Sequence, residues 1–450
     1  MTACAIEPEA APGDDARRAA CIITADGAYA ARLALDGDCW FPERWTLDGP
    51  EPYAVGLPGN QPEEPGTEVQ PMGDGRVLIR RVTEGRHVFS LLYPTGPGTG
   101  EVLIGAVECP DEDTRLGLLP PVPGGAKAYA LAVGRRSSTL WLVAGGPFGP
   151  ERVTEVPGRC SGGAWLDHAG RMLALDREVG GRTKTIVVDL ERGGEVSPFL
   201  QIADGSDDRL LLADPDSGLL LIRSDAPSPG EDRLGWGVLG STLPVRFPEC
   251  LRVPNCAVTP FAIQPGRVLV PESCAVALRV DGPMGSWVAL WRPDRRQVHH
   301  LPAPEGWLTG TGLWTPDGVL QLPYATAEVP CGVAGVTVPS ENPVLPIGPS
   351  ENPVLPIGPS ENPVPPIGPS ENPVPPIGAS DDPVSSTAAS PGAVGKSLDA
   401  PTEDGSSVAA EDGSFVAVAD GQPVEAAPPE PVVARPVPLQ EAPLGRLVTK

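Results

Sequence analysis

Seven short glycine-bearing turns recur along the first three quarters of the chain at a nearly constant interval. They read Ala25-Asp26-Gly27, Gly73-Asp74-Gly75, Pro123-Gly124-Gly125, His168-Ala169-Gly170, Asp216-Ser217-Gly218, Gln264-Pro265-Gly266 and Thr315-Pro316-Asp317-Gly318. Successive marking glycines, Gly27, Gly75, Gly125, Gly170, Gly218, Gly266 and Gly318, stand 45 to 52 residues apart. Such an interval means that one structural unit is repeated, each copy burying its apolar face against its neighbours.

The content of the unit follows from what flanks each mark. A run of small or apolar residues comes first, as in Val77-Leu78-Ile79, Leu219-Leu220-Leu221-Ile222 or Val268-Leu269-Val270. A second run follows 14 to 21 residues after the marking glycine, for example Phe89–Tyr93, Leu140–Val143, Thr185–Val188, Trp236–Leu239 and Trp287–Trp291. Runs rich in β-branched and aromatic residues between Gly, Pro and Asp are strand signals, and no 3.6-residue periodicity interrupts them. A unit of several short strands repeated seven times fits the blade of a propeller. The sequence therefore predicts an all-β fold, a seven-bladed β-propeller over residues 18–338.

At Trp314-Thr315-Pro316-Asp317-Gly318 the sequence resembles the W-[ST]-P-D-G turn of TolB-type, WD40-like propeller repeats. Asp26-Gly27 and Asp74-Gly75 keep the D-G core of that turn. The WD dipeptide and the Gly-His pair of true WD40 repeats are absent. The resemblance implies a ring of blades, and such rings commonly close on a strand from the other terminus, which removes an exposed edge. The seventh unit is short, with candidate strands at Val319–Leu322 and Gly332–Val338. The missing strand is expected from the N-terminal segment 1–17, at Thr2–Ile6, or from Ala19–Thr24.

Beyond 338 the composition changes. Residues 339–450 hold 24 of the 59 prolines, one aromatic residue (Phe415), and 15 acidic against four basic residues. Too little apolar area is available there to offset a chain entropy cost of ~1–2 kcal/mol per residue, so a disordered tail is expected. Its first part, 339–388, repeats the decamer Pro-Ser-Glu-Asn-Pro-Val-(Leu/Pro)-Pro-Ile-Gly from Pro339, Pro349, Pro359 and Pro369, with a decayed copy at Ala379. This pattern favours polyproline II, as an inert spacer or as a proline-motif docking site. The remainder, 389–450, is acidic and rich in Pro, Ala and Val.

Charge limits the partners. The formal net charge is −25, with 33 Lys and Arg against 58 Asp and Glu, which disfavours nucleic acid and anionic membranes. Only four basic residues are Lys, and the Arg-, Ala-, Gly- and Pro-rich usage resembles a high-GC bacterial coding sequence. No secretory signal or membrane-inserting run is seen, and nine irregularly spaced cysteines read as reduced thiols, so a cytoplasmic protein is expected.

No residue is nominated as catalytic, cofactor-binding or metal-binding, and no cofactor is expected. His299 and His300 would point to opposite faces of a strand. Cys250 and Cys256 are spaced too widely for a zinc knuckle. A nucleophile elbow is missing, and Ser390–Ser397 only nearly matches a phosphate-binding loop. The acidic clusters Asp111-Glu112-Asp113 and Asp204–Asp208 read as solvated loops, and most of the nine Trp as inter-blade packing. What remains is a monomeric propeller whose loop face binds a protein or peptide, a non-enzymatic scaffold. The alternative is a carboxylate-dependent hydrolase, or a sugar- or peptide-binding propeller, with its site at the channel mouth. It would need two carboxyl groups roughly 5–9.5 Å apart.

Overall fold

The computed structural model describes residues 21–337 apart from 60, 65, 97, 110, 112 and 267–269. Thr2–Ile6 and the regions 339–388 and 389–450 lie outside the described residues. Seven antiparallel sheets follow one another along the chain, spanning 22–56, 68–108, 115–157, 159–200, 208–238, 257–301 and 313–337. These are the blades of the expected seven-bladed propeller. Blades one to four and six have four strands, blades five and seven three. Among the described residues the helical pieces are two single turns, Glu249–Leu251 and Pro271–Ser273.

Each mark is the turn between the inner and second strands of its blade. At Thr24–Gly27, Met72–Gly75, Val122–Gly125 and Thr315–Gly318 a backbone bond of 2.9 to 3.0 Å closes the turn, with the marking glycine at φ 63° to 80°. This is a four-residue turn ending in a left-handed residue, where glycine carries no Cβ penalty. The run after each mark except the sixth is the second strand, and the later run is the third. In blade five Leu219–Ile222 is fully buried, and Val77–Ile79 in blade two likewise. Strands covered on both faces read as continuous apolar runs without alternation.

The sixth unit departs from the expectation. Val270 is exposed and 267–269 lie outside the described residues, while the second strand begins only at Val276. An insertion carrying the Pro271–Ser273 turn separates mark from strand, which accounts for the longest of the 14-to-21-residue offsets. Blade three, whose mark is the most divergent, has a full set of four strands.

Apolar clusters fill each interface between neighbouring blades. Leu131 and Leu140 of blade three meet Leu173, Leu175 and Ile186 of blade four. Leu219, Leu221 and Trp236 of blade five meet Val276, Leu278 and Trp291 of blade six. Each such side chain contributes about 1.5–3 kcal/mol on leaving water. The seam between the last and first blades has a cluster of the same kind, in which Leu308, Ala325 and Cys331 pack against Cys21, Ala30 and Trp45. There Thr311 Oγ1 also donates to the Cys21 carbonyl at 2.9 Å. Of the two segments expected to supply the strand missing from the seventh unit, Ala19–Thr24 does not: its Ile22–Ile23 pairs with Ala30 and Ala31 as the inner strand of blade one, and blade seven keeps three strands among the described residues.

Six of the seven marking glycines, all but Gly218, also make the blade-to-blade contact. A Cβ on Gly75 would lie 3.0 Å from the Tyr29 ring, on Gly125 2.5 Å from the Gly73 backbone, and on Gly318 2.9 Å from Gln264 Nε2. Gly170 meets Val122, Gly266 meets Ser217, and Gly27 meets Leu313, closing the ring in the same manner. In each case the neighbour belongs to the preceding blade, which explains a glycine at Gly266, where φ is not positive.

Candidate functional site

Every inner strand runs towards its mark, so the seven turns share one face of the ring. On that face a cavity of about 680 Å³ opens between the turns of six blades. Blade one contributes Ala25 and Asp26, blade three Pro123 and Gly124, blade four His168 and blade five Asp216. Blade six adds Gln264 and Pro265, and blade seven Leu313, Trp314, Pro316 and Asp317.

The turn chemistry that builds the blades also lines this cavity. Asp26 Oδ1 accepts from Thr24 Oγ1 at 2.5 Å and from the Ala28 amide at 3.1 Å, the Asx arrangement that favours Asp in turns. His168 Nε2 lies 2.9 Å from Asp216 Oδ1, joining the fourth and fifth turns across the rim. Beneath the rim, Asp167 caps its turn through the Met172 amide at 2.6 Å, and Asp214 takes the Ser217 amide at 2.9 Å and the Gly266 amide at 3.2 Å. Trp314 is buried, and among the described residues its indole N–H has no acceptor. Three carboxylates at the rim and a wall of three prolines, Leu313 and Trp314 suit a cationic group carried on an apolar stem. Among the described residues the lining holds no hydroxyl, thiol or amine. Blade two stands apart from the cavity. Burial opposes ionisation of its Asp74, but bonds from the Arg76 side chain and amide outweigh it and hold the carboxyl below its ordinary range.

A second polar assembly lies inside the ring between blades four and five. Asp208 is fully buried and accepts from Lys184 Nζ at 2.7 Å, Ser206 Oγ at 2.8 Å, Ser224 Oγ at 2.6 Å and the Ile202 amide at 2.8 Å. Asp176 accepts from Thr185 Oγ1 at 2.8 Å and from the Leu210 amide at 3.0 Å, bridging the two blades. Burial pushes its pKa up to about 6, against these hydrogen bonds and the nearby Arg209. The reading of Asp204–Asp208 as a solvated loop is thus corrected at Asp208, whose lone pairs are all engaged with blade four and blade five groups. Sequence gives little sign of this, because the partners are scattered over four strands and a loop.

His299 and His300 are exposed on a short strand, and His300 Nδ1 accepts from Trp287 Nε1 at 2.8 Å. His87 lies 2.9 Å from Arg80, and burial together with that guanidinium lowers its pKa. Cys250 and Cys256 are free thiols, as are the other described cysteines. Burial pushes Cys21 up to about 12 and Cys331 up to about 11. Asp113 pairs with Arg135. Trp45, Trp165, Trp236, Trp291, Trp307 and Trp314 are buried, most of them between blades. The segment Ser390–Ser397 lies outside the described residues. Among the described residues no three His, Cys, Asp or Glu side chains converge to hold a metal ion, and no helix is long and apolar enough to cross a membrane.

No protein-family description matches the chain, and no curated protein matches it in sequence. Solved structures are similar to it in fold. An oligogalacturonate lyase from Vibrio parahaemolyticus is 12% identical over 71% of this chain and 88% of its own, with a TM-score of 0.46. TolB from Acinetobacter baumannii is 12% identical over 69% of this chain and 79% of its own, with a TM-score of 0.38. A prolyl endopeptidase is 13% identical over 72% of this chain and 48% of its own, with a TM-score of 0.42.

Proposed function

We propose that the chain is a monomeric, non-catalytic interaction protein of the cytoplasm, whose turn face receives a protein or peptide partner through a cationic, partly apolar segment. The observation that supports this most is the composition of the mouth cavity, in which Asp26, Asp216 and Asp317 stand around Leu313, Trp314 and three prolines. A Lys or Arg side chain matches both parts, its stem on the apolar wall and its head at the carboxylates. The region beyond 338 would serve as a spacer or a second docking segment.

The test is fluorescence anisotropy with a labelled hexapeptide holding two arginines between leucines. Binding should weaken about tenfold, ~1.4 kcal/mol, in the double variant Asp216→Asn/Asp317→Asn, and should fall with added salt. A form truncated at Pro339 should bind the peptide equally well. Unchanged affinity in the double variant would sink the reading.

A hydrolytic reading is favoured by one observation, the His168–Asp216 pair at 2.9 Å beside further carboxylates. It requires turnover of a glycoside or peptide that is lost in His168→Ala, and under it His168→Ala would leave ground-state binding intact.

A further inference from the structure

Blade five lacks its outer strand. Its third strand, Arg233–Val238, meets the following segment at one antiparallel bridge, where Trp236 and Arg246 exchange two backbone bonds of 2.9 Å. Pro244, Pro248 and Pro254 deprive that segment of the donors that a ladder needs. Since Trp236 turns its backbone groups to this edge, the two-residue alternation of a strand turns those of Leu234 the same way. No hydrogen bond to the Leu234 N–H or C=O is found among the described residues.

Two cavities flank the bridge. One of about 700 Å³ lies along Leu234, Leu251 and Val258, and the other, of about 400 Å³, is walled by Trp236, Phe247 and Pro293. Gly235 leaves room for Phe247, since a Cβ there would lie 2.7 Å from its ring. Arginines line both cavities, in a chain whose net charge is −25. Arg233 is held by Glu249 at 2.8 Å, and Arg252 by Glu231. Arg223 donates to the Val258 carbonyl at 3.3 Å, and Arg246 lies over the Trp236 ring at 4.7 Å. Among the described residues neither Arg223 nor Arg246 has a carboxylate at ion-pair distance, and the larger cavity's own acids are Glu231 and Asp232.

We propose that this open edge docks an extended acidic peptide, which adds the fourth strand of blade five. Its backbone would pair with Leu234, alternate apolar side chains would enter the cavities, and its carboxylates would meet Arg223 and Arg246. This site is distinct from the mouth cavity and prefers the opposite charge.

The test uses the full chain and a labelled octapeptide of alternating glutamate and valine. Saturable binding is expected, weakened at least tenfold by Arg223→Ala with Arg246→Ala, and by N-methylation of alternate peptide amides. The lysine–valine analogue should not compete. Binding that ignores N-methylation would overturn strand addition, and equal binding of the lysine analogue or no binding at all would overturn the site. A dimer broken by Arg246→Glu would overturn it in favour of a second copy of this chain.

Discussion

At the scale of single residues, the clearest consequence concerns Asp176. Its pKa is raised from 3.8 to about 6 by burial, so the folded state favours the neutral acid. The stability this contributes is whole below pH ~4 and is lost as the pH rises through 6. Two units at about 1.4 kcal/mol each give a loss on the order of 2–3 kcal/mol. Asp176→Asn keeps an acceptor for Thr185 and Leu210 and cannot ionise. Urea unfolding should therefore show the variant gaining roughly 2–3 kcal/mol over the parent between pH 4.5 and 7.5; a pH-independent difference would contradict the assignment. Asp208 gives the converse case. Asp208→Ala strands Lys184 beside two hydroxyls and should cost about 3–5 kcal/mol, with Asp208→Ala/Lys184→Met recovering much of it in a double-mutant cycle. These two carboxyls were illegible in the sequence. A buried Asp and a solvated one have the same letter, and only pairing across blades distinguishes them. The aspartates of the turns were visible from the start as turn residues, yet nothing in their spacing says that six turns border one cavity.

At the scale of the element, the repeat was legible because one glycine answers two demands. It ends a tight turn at positive φ, and it leaves room for the preceding blade. Gly125 and Gly180 separate the two demands, at φ 63° and 60°, because a Cβ at Gly180 has nothing within 4 Å. Gly180→Ala should cost about 1–2 kcal/mol, the conformational penalty alone. Gly125→Ala adds a collision with the Gly73 backbone and should cost about 2–5 kcal/mol, with thermal unfolding as the readout. Equal losses would show that the inter-blade contact contributes little. Strand ends were less legible than strand centres. The sixth unit's second strand begins only at Val276, while Val270, at the end of the apolar run expected to form it, is exposed outside any strand; a short apolar run reads the same in the sequence whether or not it joins a sheet. The missing outer strand of blade five was equally hidden, since Trp236–Leu239 reads as strand whether or not a neighbour covers it.

At the scale of the whole molecule, seven similar interfaces make a ring with no privileged joint. The seam between blades seven and one uses an apolar cluster like those of the other six interfaces and the same glycine contact as five of them, Gly218 of blade five touching Leu239 of its own blade instead. The ring places all seven turns on one face, and that convergence makes a cavity from residues 25 to 317, which no local stretch of sequence contains. The hexapeptide that tests the mouth also permits the most direct check of where the partner sits. Hydrogen–deuterium exchange, read by mass spectrometry with and without the bound peptide, should show protection at residues 24–28, 122–126, 167–171, 214–218 and 315–319. Protection confined to the opposite face, at Glu84-Gly85, Gly180-Gly181 and Met284, would contradict the assignment of the turn face as the binding surface.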